Sequence, residues 1–159
     1  LQAALEGNDM GLVSEAGMPA IADPGSSVVR AAHLLGLRVV PLVGPVSLML
    51  TLAASGLNGQ NFAFVGYLPA QGPERAQRIA ELESLTQKTG QTQLFIETPY
   101  RNAALLQALL QTLRPSSLLA AASGLTLENA TVRSGIVKDW RQHHWQVAQH
   151  IPTVFAIGR

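Results

Sequence analysis

The strongest indication of fold is the stretch SEAGMPAIADPG, residues 14–25, with the apolar runs on either side of it. These runs, residues 10–14 and 37–43, are bounded by Gly and Pro, which is typical of strands buried on both faces of a parallel sheet. Between them, Ser26 can cap a helix that ends at Gly36. This order predicts a right-handed βαβ unit. Its loop follows the first strand, where open α/β sheets bind ligands.

The rest of the chain changes character near residue 60. A second loop, residues 43–47, leads into a helix over 46–55 that is closed by Gly56. Beyond it, apolar runs predict strands at 62–66, 94–97, 117–122, 131–140 and 154–158, with helices beginning near 72 and at Thr98. We therefore predict an α/β protein of two domains. Residues 1–60 form a first domain with a partial parallel sheet, and residues 61–159 form an α+β domain with a mixed sheet.

Composition narrows the function classes. The chain has 159 residues, of which 47% are hydrophobic and only 13% are charged. A surface this poor in charge predicts burial against another subunit, domain or ligand. The net charge is +1, and eleven basic residues are spread from Arg30 to Arg159 without a run, so no nucleic-acid footprint is visible.

Cysteine and hydropathy exclude further classes. The absence of Cys removes disulfides, Cys-ligated zinc and thiol catalysis. With no secretory signal at Leu1 and no apolar run of about 18 residues, we expect a cytoplasmic protein that does not span a membrane.

Four sequence blocks, taken in order, resemble the signature blocks of the tetrapyrrole methylase superfamily. They are SEAGMPAIADPG at 14–25, VGPVS at 43–47, GYLPA at 66–70 and ETPYR at 97–101. They are most similar to the superfamily's branch of ribosomal RNA small subunit 2′-O-methyltransferases. In that branch the blocks run approximately S-D-A-G-T-P-x-I-S-D-P-G, P-G-P, G-F-L-P and E-S-P-H-R.

The resemblance implies a methyltransferase that binds S-adenosylmethionine between two α/β domains and forms a homodimer, with ribosomal RNA as its substrate. It also implies an earlier strand and glycine-containing loop upstream of Leu1, so we expect a fragment of a longer chain. The cofactor-binding residues that it implies are Ser14, Glu15, Ala16 and Gly17 of the first loop, Val46 and Ser47 beside it, and Tyr67 and Leu68 from the second domain.

Departures from the family pattern leave two alternatives open. Glu15, Met18 and Tyr100 stand where the family has Asp, Thr and His, and residues 123–127 lack the charges of its R-E-L-T-K stretch. The first alternative is a catalytically silent dimeric binding or scaffold protein, since fold alone does not establish chemistry. The second is a methylase for a small tetrapyrrole-like acceptor.

The candidate catalytic pair is Glu97 and Arg101, which are one helical turn apart. A hydroxyl acceptor needs a base or a polarising group, and this pair could supply one. The alternative is an ordinary salt bridge at a helix start.

The histidines and tryptophans near the carboxyl end predict no site of their own. No carboxylate stands at ligand spacing from His143, His144 or His150, so we expect solvated side chains and no metal. Trp140 and Trp145 are interpreted as packing or interface residues in preference to base-stacking platforms.

Overall fold

The computed structural model describes residues 1–15 and 17–159. It divides into two compact units, Leu1–Val46 and Ser47–Arg159. The first unit contains the helices α1 (Gln2–Leu5) and α2 (Ser26–Leu34). Helix α2 begins directly after Gly25, whose φ of 138° disfavours an L side chain and where a Cβ would stand only 3.1 Å from the Ala20 nitrogen. The predicted helix is therefore confirmed over Ser26–Leu34, but its N-cap is Gly25 and the predicted cap by Ser26 is wrong.

The two strands predicted around α2 are not formed. Residues 10–14 and 37–43 make no strand ladder with any described part of the chain. Their apolar side chains face solvent, with Val13 86% exposed and Leu42 79% exposed. Apolar patterning marks a segment that can be a strand, but a strand forms only where a neighbour accepts and donates its backbone hydrogen bonds. The βαβ prediction for the first unit is therefore wrong in this structure.

The second unit is built on one mixed five-stranded sheet. Its strands are β1 (Phe62–Tyr67), β2 (Thr92–Glu97), β3 (Leu118–Ser123), β4 (Thr131–Ile136) and β5 (Thr153–Gly158). Their order is β1-β2-β5-β3-β4. The β1–β2 pair is parallel and the three other pairs are antiparallel. The mixed sheet predicted for the carboxyl-terminal part is confirmed.

Helices cover both faces of this sheet. Helices α4 (Gly72–Thr89) and α5 (Asn102–Thr112) bury leucines against Phe95 and Phe155 on one face, which forms the main core. Helix α3 (Ser47–Ser55) packs on β5, β3 and β4. It lies on the opposite face of the sheet. Ala120 and its register partner Ser134 alternate with the strand residues that face the main core, and the Ser134 hydroxyl donates to the Ser55 carbonyl of α3 at 2.6 Å. Helix α3 therefore belongs to the second unit, which begins at Ser47. The domain boundary at residue 60 stays a prediction.

The strand predicted over 131–140 is wrong beyond Ile136, where helix α6 (Val137–Gln142) begins. The reason is burial at a spacing of three residues, which only a helix places on one face. Val137 and Trp140 are both fully buried, and the Trp140 indole N–H donates to the Leu119 carbonyl at 2.9 Å. The helix predicted from Thr98 begins as a 3₁₀ turn, Pro99–Arg101, and continues as α5.

Candidate functional site

The candidate site of the second unit lies where the parallel strands β1 and β2 end. Tyr67 is in register with Ile96, so Tyr67 and Glu97 stand at the same edge of the sheet. Loops after the carboxyl ends of parallel strands are where α/β sheets bind ligands. Two of the four sequence blocks, at 66–70 and 97–101, therefore lie side by side in the fold.

Strand β1 has an irregularity just before its last residue, Tyr67. The register shifts between Phe64 and Tyr67, and Gly66 takes a φ of 74° that an L side chain rarely adopts. After it, Tyr67 is 59% exposed, whereas Leu68 is 5% exposed and belongs to the hydrophobic core. Tyr67 can thus offer a side chain to a ligand, but Leu68 can offer only its backbone.

Arg75, which the sequence did not single out, holds the loop after β1. It lies in the first turns of α4 and is 7% exposed. Its guanidinium donates to the carbonyls of Pro69, with an Nε–O distance of 2.8 Å, and of Ala70. The fork of donors satisfies two carbonyls of one loop together, which fixes the loop beside Tyr67. An arginine near a helix start gives no sequence signal for this contact.

Glu97 and Arg101 are brought together as an ion pair. The Arg101 Nη2 lies 2.9 Å and its Nε 3.0 Å from Glu97 Oε1. The same oxygen accepts from the Thr98 amide at 2.7 Å and from the Thr98 hydroxyl at 3.2 Å. The Glu97 side chain is fully buried, and that of Arg101 is 35% exposed. Glu97 therefore fixes the turn after β2, and Arg101 is the member of the pair that reaches solvent.

Arg101 also faces the ring of Tyr100. The guanidinium carbon lies 5.3 Å from the centroid of the Tyr100 ring, within the range of a cation–π contact. Tyr100 is 69% exposed. The position that departs from the family's His thus carries an exposed aromatic ring beside a cation.

Behind this ion pair lies a buried polar cluster that sequence reasoning missed. Asn102 donates through Nδ2 to the Ile151 carbonyl at 2.9 Å and to the Thr153 hydroxyl at 3.0 Å, and Thr153 is 2.8 Å from the Ser123 hydroxyl. Thr153 is also the cross-strand partner of Glu97. Among the described residues, Glu97 Oε2 and Asn102 Oδ1 are buried acceptors without a donor.

The remaining predicted site residues lie mostly in the first unit. The Ser14 hydroxyl is 3.4 Å from the Gly17 carbonyl, Glu15 is exposed, and Gly17 has a φ of 83°. Ala16 lies outside the described residues. Val46 ends the first unit half-buried, and Ser47 opens α3 in the second unit with its side chain exposed.

Neither a metal site nor a membrane-spanning helix is found in the described parts of the chain. No group of three His, Cys, Asp or Glu side chains is arranged to hold a metal ion there. Likewise, within residues 1–15 and 17–159, no helix combines the length and apolar character that crossing a bilayer requires.

Comparison with curated proteins places the chain among known sequences. It is 36% identical to the ribosomal RNA small subunit methyltransferase I of Vibrio cholerae, over 81% of this chain and 43% of the relative. The protein of the same name from Pseudomonas aeruginosa is 42% identical over 60% of this chain and 32% of its own length. That of Mesorhizobium japonicum is 34% identical over 91% of this chain and 48% of its own length. The chain is a relative of the tetrapyrrole methylases. It spans less than half of the length of these curated relatives.

Solved structures of similar fold match this chain. The methyltransferase CobJ matches with a TM-score of 0.56 and 15% identity, over 90% of this chain and 62% of CobJ. Uroporphyrin-III-C-methyltransferase from Thermus thermophilus matches with a TM-score of 0.51 and 19% identity, over 89% of this chain and 60% of that structure. No protein-family model matches the chain. The predicted resemblance and the α/β fold class are confirmed.

Proposed function

We propose that the protein carrying this chain is an S-adenosylmethionine-dependent methyltransferase that 2′-O-methylates ribosomal RNA. The observation that carries the proposal is sequence identity of 34–42% to several proteins named ribosomal RNA small subunit methyltransferase I. The order of the four loop blocks agrees with it, because loop residues determine chemistry on a shared fold. The protein would then act in ribosomal RNA processing in the cytoplasm.

The described residues fit S-adenosylmethionine, which supplies an activated methyl group when it is bound. The exposed Glu15 carboxylate suits the cofactor's hydroxyl and ammonium donors, and Gly17 in its left-handed conformation has open space where a Cβ would stand. We assign cofactor contacts to Ser14, Glu15, Ala16 and Gly17, with Val46 and Ser47 flanking them. In the second unit, Tyr67 would contribute its ring and Leu68 its backbone groups.

At the acceptor end, we propose different roles for the two members of the ion pair. A general base must reach the proton that it removes. Glu97 is fully buried, and its Oε1 already accepts from Thr98 and Arg101. We therefore assign Glu97 the role of a positioning residue. Arg101, which is partly exposed beside Tyr100, is the group that can contact an RNA phosphate or polarise a hydroxyl.

Two measurements on the same preparations test this proposal. Calorimetry with S-adenosylmethionine should give a saturable binding signal, and no heat at millimolar ligand would contradict cofactor binding. Glu97→Gln should lower kcat for methyl transfer to small ribosomal subunits while leaving cofactor affinity within about twofold, because it removes the charge that pairs with Arg101 and keeps an oxygen that can accept from Thr98. Glu81→Gln, which removes a carboxylate of an exposed ion pair on α4, is the matched control. Unchanged transfer by Glu97→Gln would remove Glu97 from the mechanism.

A homodimer is part of the same proposal. The chain is only 13% charged, and several large apolar side chains are exposed, among them Leu34 at 82%. Exposed apolar side chains in this number, on a chain this poor in charge, favour a surface that another subunit or domain covers. Sedimentation should therefore report a dimer, and a well-behaved monomer would contradict this part of the proposal.

A catalytically silent binding protein remains the second candidate. Tyr100 stands at the family's His, and residues 123–127 lack the family's charges. Cofactor binding without methyl transfer to small ribosomal subunits would favour this candidate, whereas transfer at one defined nucleotide would exclude it.

A further inference from the structure

A stacked group of aromatic and basic side chains lies at β4, the last strand of the sheet order. The His143 ring stacks on the Trp145 ring, with a centroid distance of 5.5 Å and an interplanar angle of 18°. The guanidinium carbon of Arg133 lies 5.3 Å from the Trp145 ring centroid. Arg133 and His143 are exposed, and Trp145 is half-buried. We call these three residues the β4 surface.

The β4 surface is fixed from beneath. Trp145 contacts the fully buried Trp140 edge-on at a centroid distance of 5.3 Å. A Cβ on Gly135 would stand 3.3 Å from the Trp145 ring, so the missing side chain at Gly135 makes room for the indole over β4. Trp145 is therefore held in one orientation before any ligand arrives. A preordered aromatic platform loses little conformational entropy on binding.

Charge is concentrated in the same part of the chain. From Thr131 to the carboxyl end, the sequence has four Lys or Arg residues and one acidic residue, a net charge of +3. The whole chain is +1, so the preceding 130 residues have a net charge of −2. Three of the four histidines also lie in this segment. Of these cations, Arg133 lies beside the aromatic stack, whereas Arg141 donates to the carbonyls of Leu110 and Leu113 and Arg159 donates to that of Gln87.

We propose that the β4 surface binds single-stranded RNA, with an unpaired base extending the stack on His143 and a phosphate bound by Arg133. Flat stacks of aromatic rings match the faces of unstacked bases, and neighbouring cations match the RNA backbone. An acidic peptide would use the charge but has no need of the stack. This inference rests on the proposed function, because it names the surface that would hold ribosomal RNA outside the methyl-transfer site.

The test compares RNA with a polyanion that has no bases. Intrinsic tryptophan fluorescence, to which Trp140 and Trp145 both contribute, reports binding of a single-stranded RNA of about 12 nucleotides, a typical site size, and of inorganic polyphosphate of equal length. Arg133→Gln should weaken both ligands and reduce the salt dependence of RNA binding by about one ion. His143→Ala should weaken RNA about fivefold or more, since stacking is lost, and should leave polyphosphate binding within about twofold.

Matched controls are Gln142→Ala, which truncates the exposed side chain before His143, and Lys88→Gln, which removes an exposed charge on α4. Both should bind RNA like the parent protein, and thermal melting should show that all four variants are folded. Equal weakening of RNA and polyphosphate by His143→Ala, or RNA binding unchanged in both surface variants, would overturn the proposal. S-adenosylmethionine calorimetry on the same variants separates the two hypotheses. Cofactor binding without RNA binding at this surface contradicts only this inference, whereas absent cofactor binding contradicts the proposed function.

Discussion

Single side chains at the carboxyl ends of β1 and β2 are fixed by buried polar contacts. The spacing of Glu97 and Arg101 made their ion pair predictable, because the two residues are only four positions apart in the sequence. Asn102 and Thr153 were not predictable, since their hydrogen bond joins positions 51 residues apart. A buried polar residue has no signature in sequence until the fold supplies its partner.

Replacing Asn102 tests the stabilising role of this cluster. Asn102→Ala removes donors to the Ile151 carbonyl and the Thr153 hydroxyl in a fully buried site. The Thr153 hydroxyl also donates to Ile151, at 3.1 Å, so part of the loss is compensated. We expect the free energy of unfolding, measured with a chemical denaturant, to fall by about 1–2 kcal/mol. The exposed Asn129→Ala is the control, and equal stability of the two variants would contradict this role.

Arg75 offers a second test among single residues. Arg75→Lys keeps the charge but cannot reproduce the fork that reaches Pro69 and Ala70. The free energy of unfolding should fall by about 1–2 kcal/mol. The control Arg78→Lys alters an exposed ion pair with Glu81 and should change stability by less than about 0.5 kcal/mol. A smaller loss for Arg75→Lys than for Arg78→Lys would show that the loop does not depend on Arg75.

Among the secondary-structure elements, most of those that pack against other described parts of the chain were predictable. Strands β1, β2, β3 and β5 and helices α2 to α5 follow from apolar patterning and from Gly, Pro and Ser at their ends. The runs at 10–14 and 37–43 have equally good patterns and are not strands, because periodicity carries no information about a neighbouring strand. The segment beyond Ile136 is helical because Trp140 must reach the Leu119 carbonyl, which is a tertiary constraint.

The irregular end of strand β1 can be tested by replacing Gly66. Gly66 has open space around it, so the cost of a side chain there comes only from its φ of 74°. Gly66→Ala should therefore lower the free energy of unfolding by about 1–2 kcal/mol. Gly72→Ala, at the start of α4 with equally open space and no positive φ, should be close to neutral. An equal loss of unfolding free energy in the two variants would show that the strand end does not depend on the positive φ of Gly66.

For the molecule as a whole, the hydrophobic core belongs to the second unit, from Leu68 to Ile157. Strand β5 is buried at all six positions between β2 and β3. Native-state hydrogen exchange should therefore be slowest in β5, and residues 10–14 and 37–43 should exchange fast because they form no ladder. Protection of these two segments equal to that of β5 would contradict the description of the first unit.

The methyltransferase assignment rests on relatives that are longer than this chain, so it is best tested on the protein that carries the sequence. The measurement is transfer of a labelled methyl group from S-adenosylmethionine to small ribosomal subunits, with the modified nucleotide located by mass spectrometry. We predict incorporation at one defined nucleotide, as a ribose 2′-O-methyl group, and a lower rate with Glu97→Gln. No incorporation by a folded protein that binds S-adenosylmethionine, or a methyl group placed on a base instead of a ribose, would contradict the account.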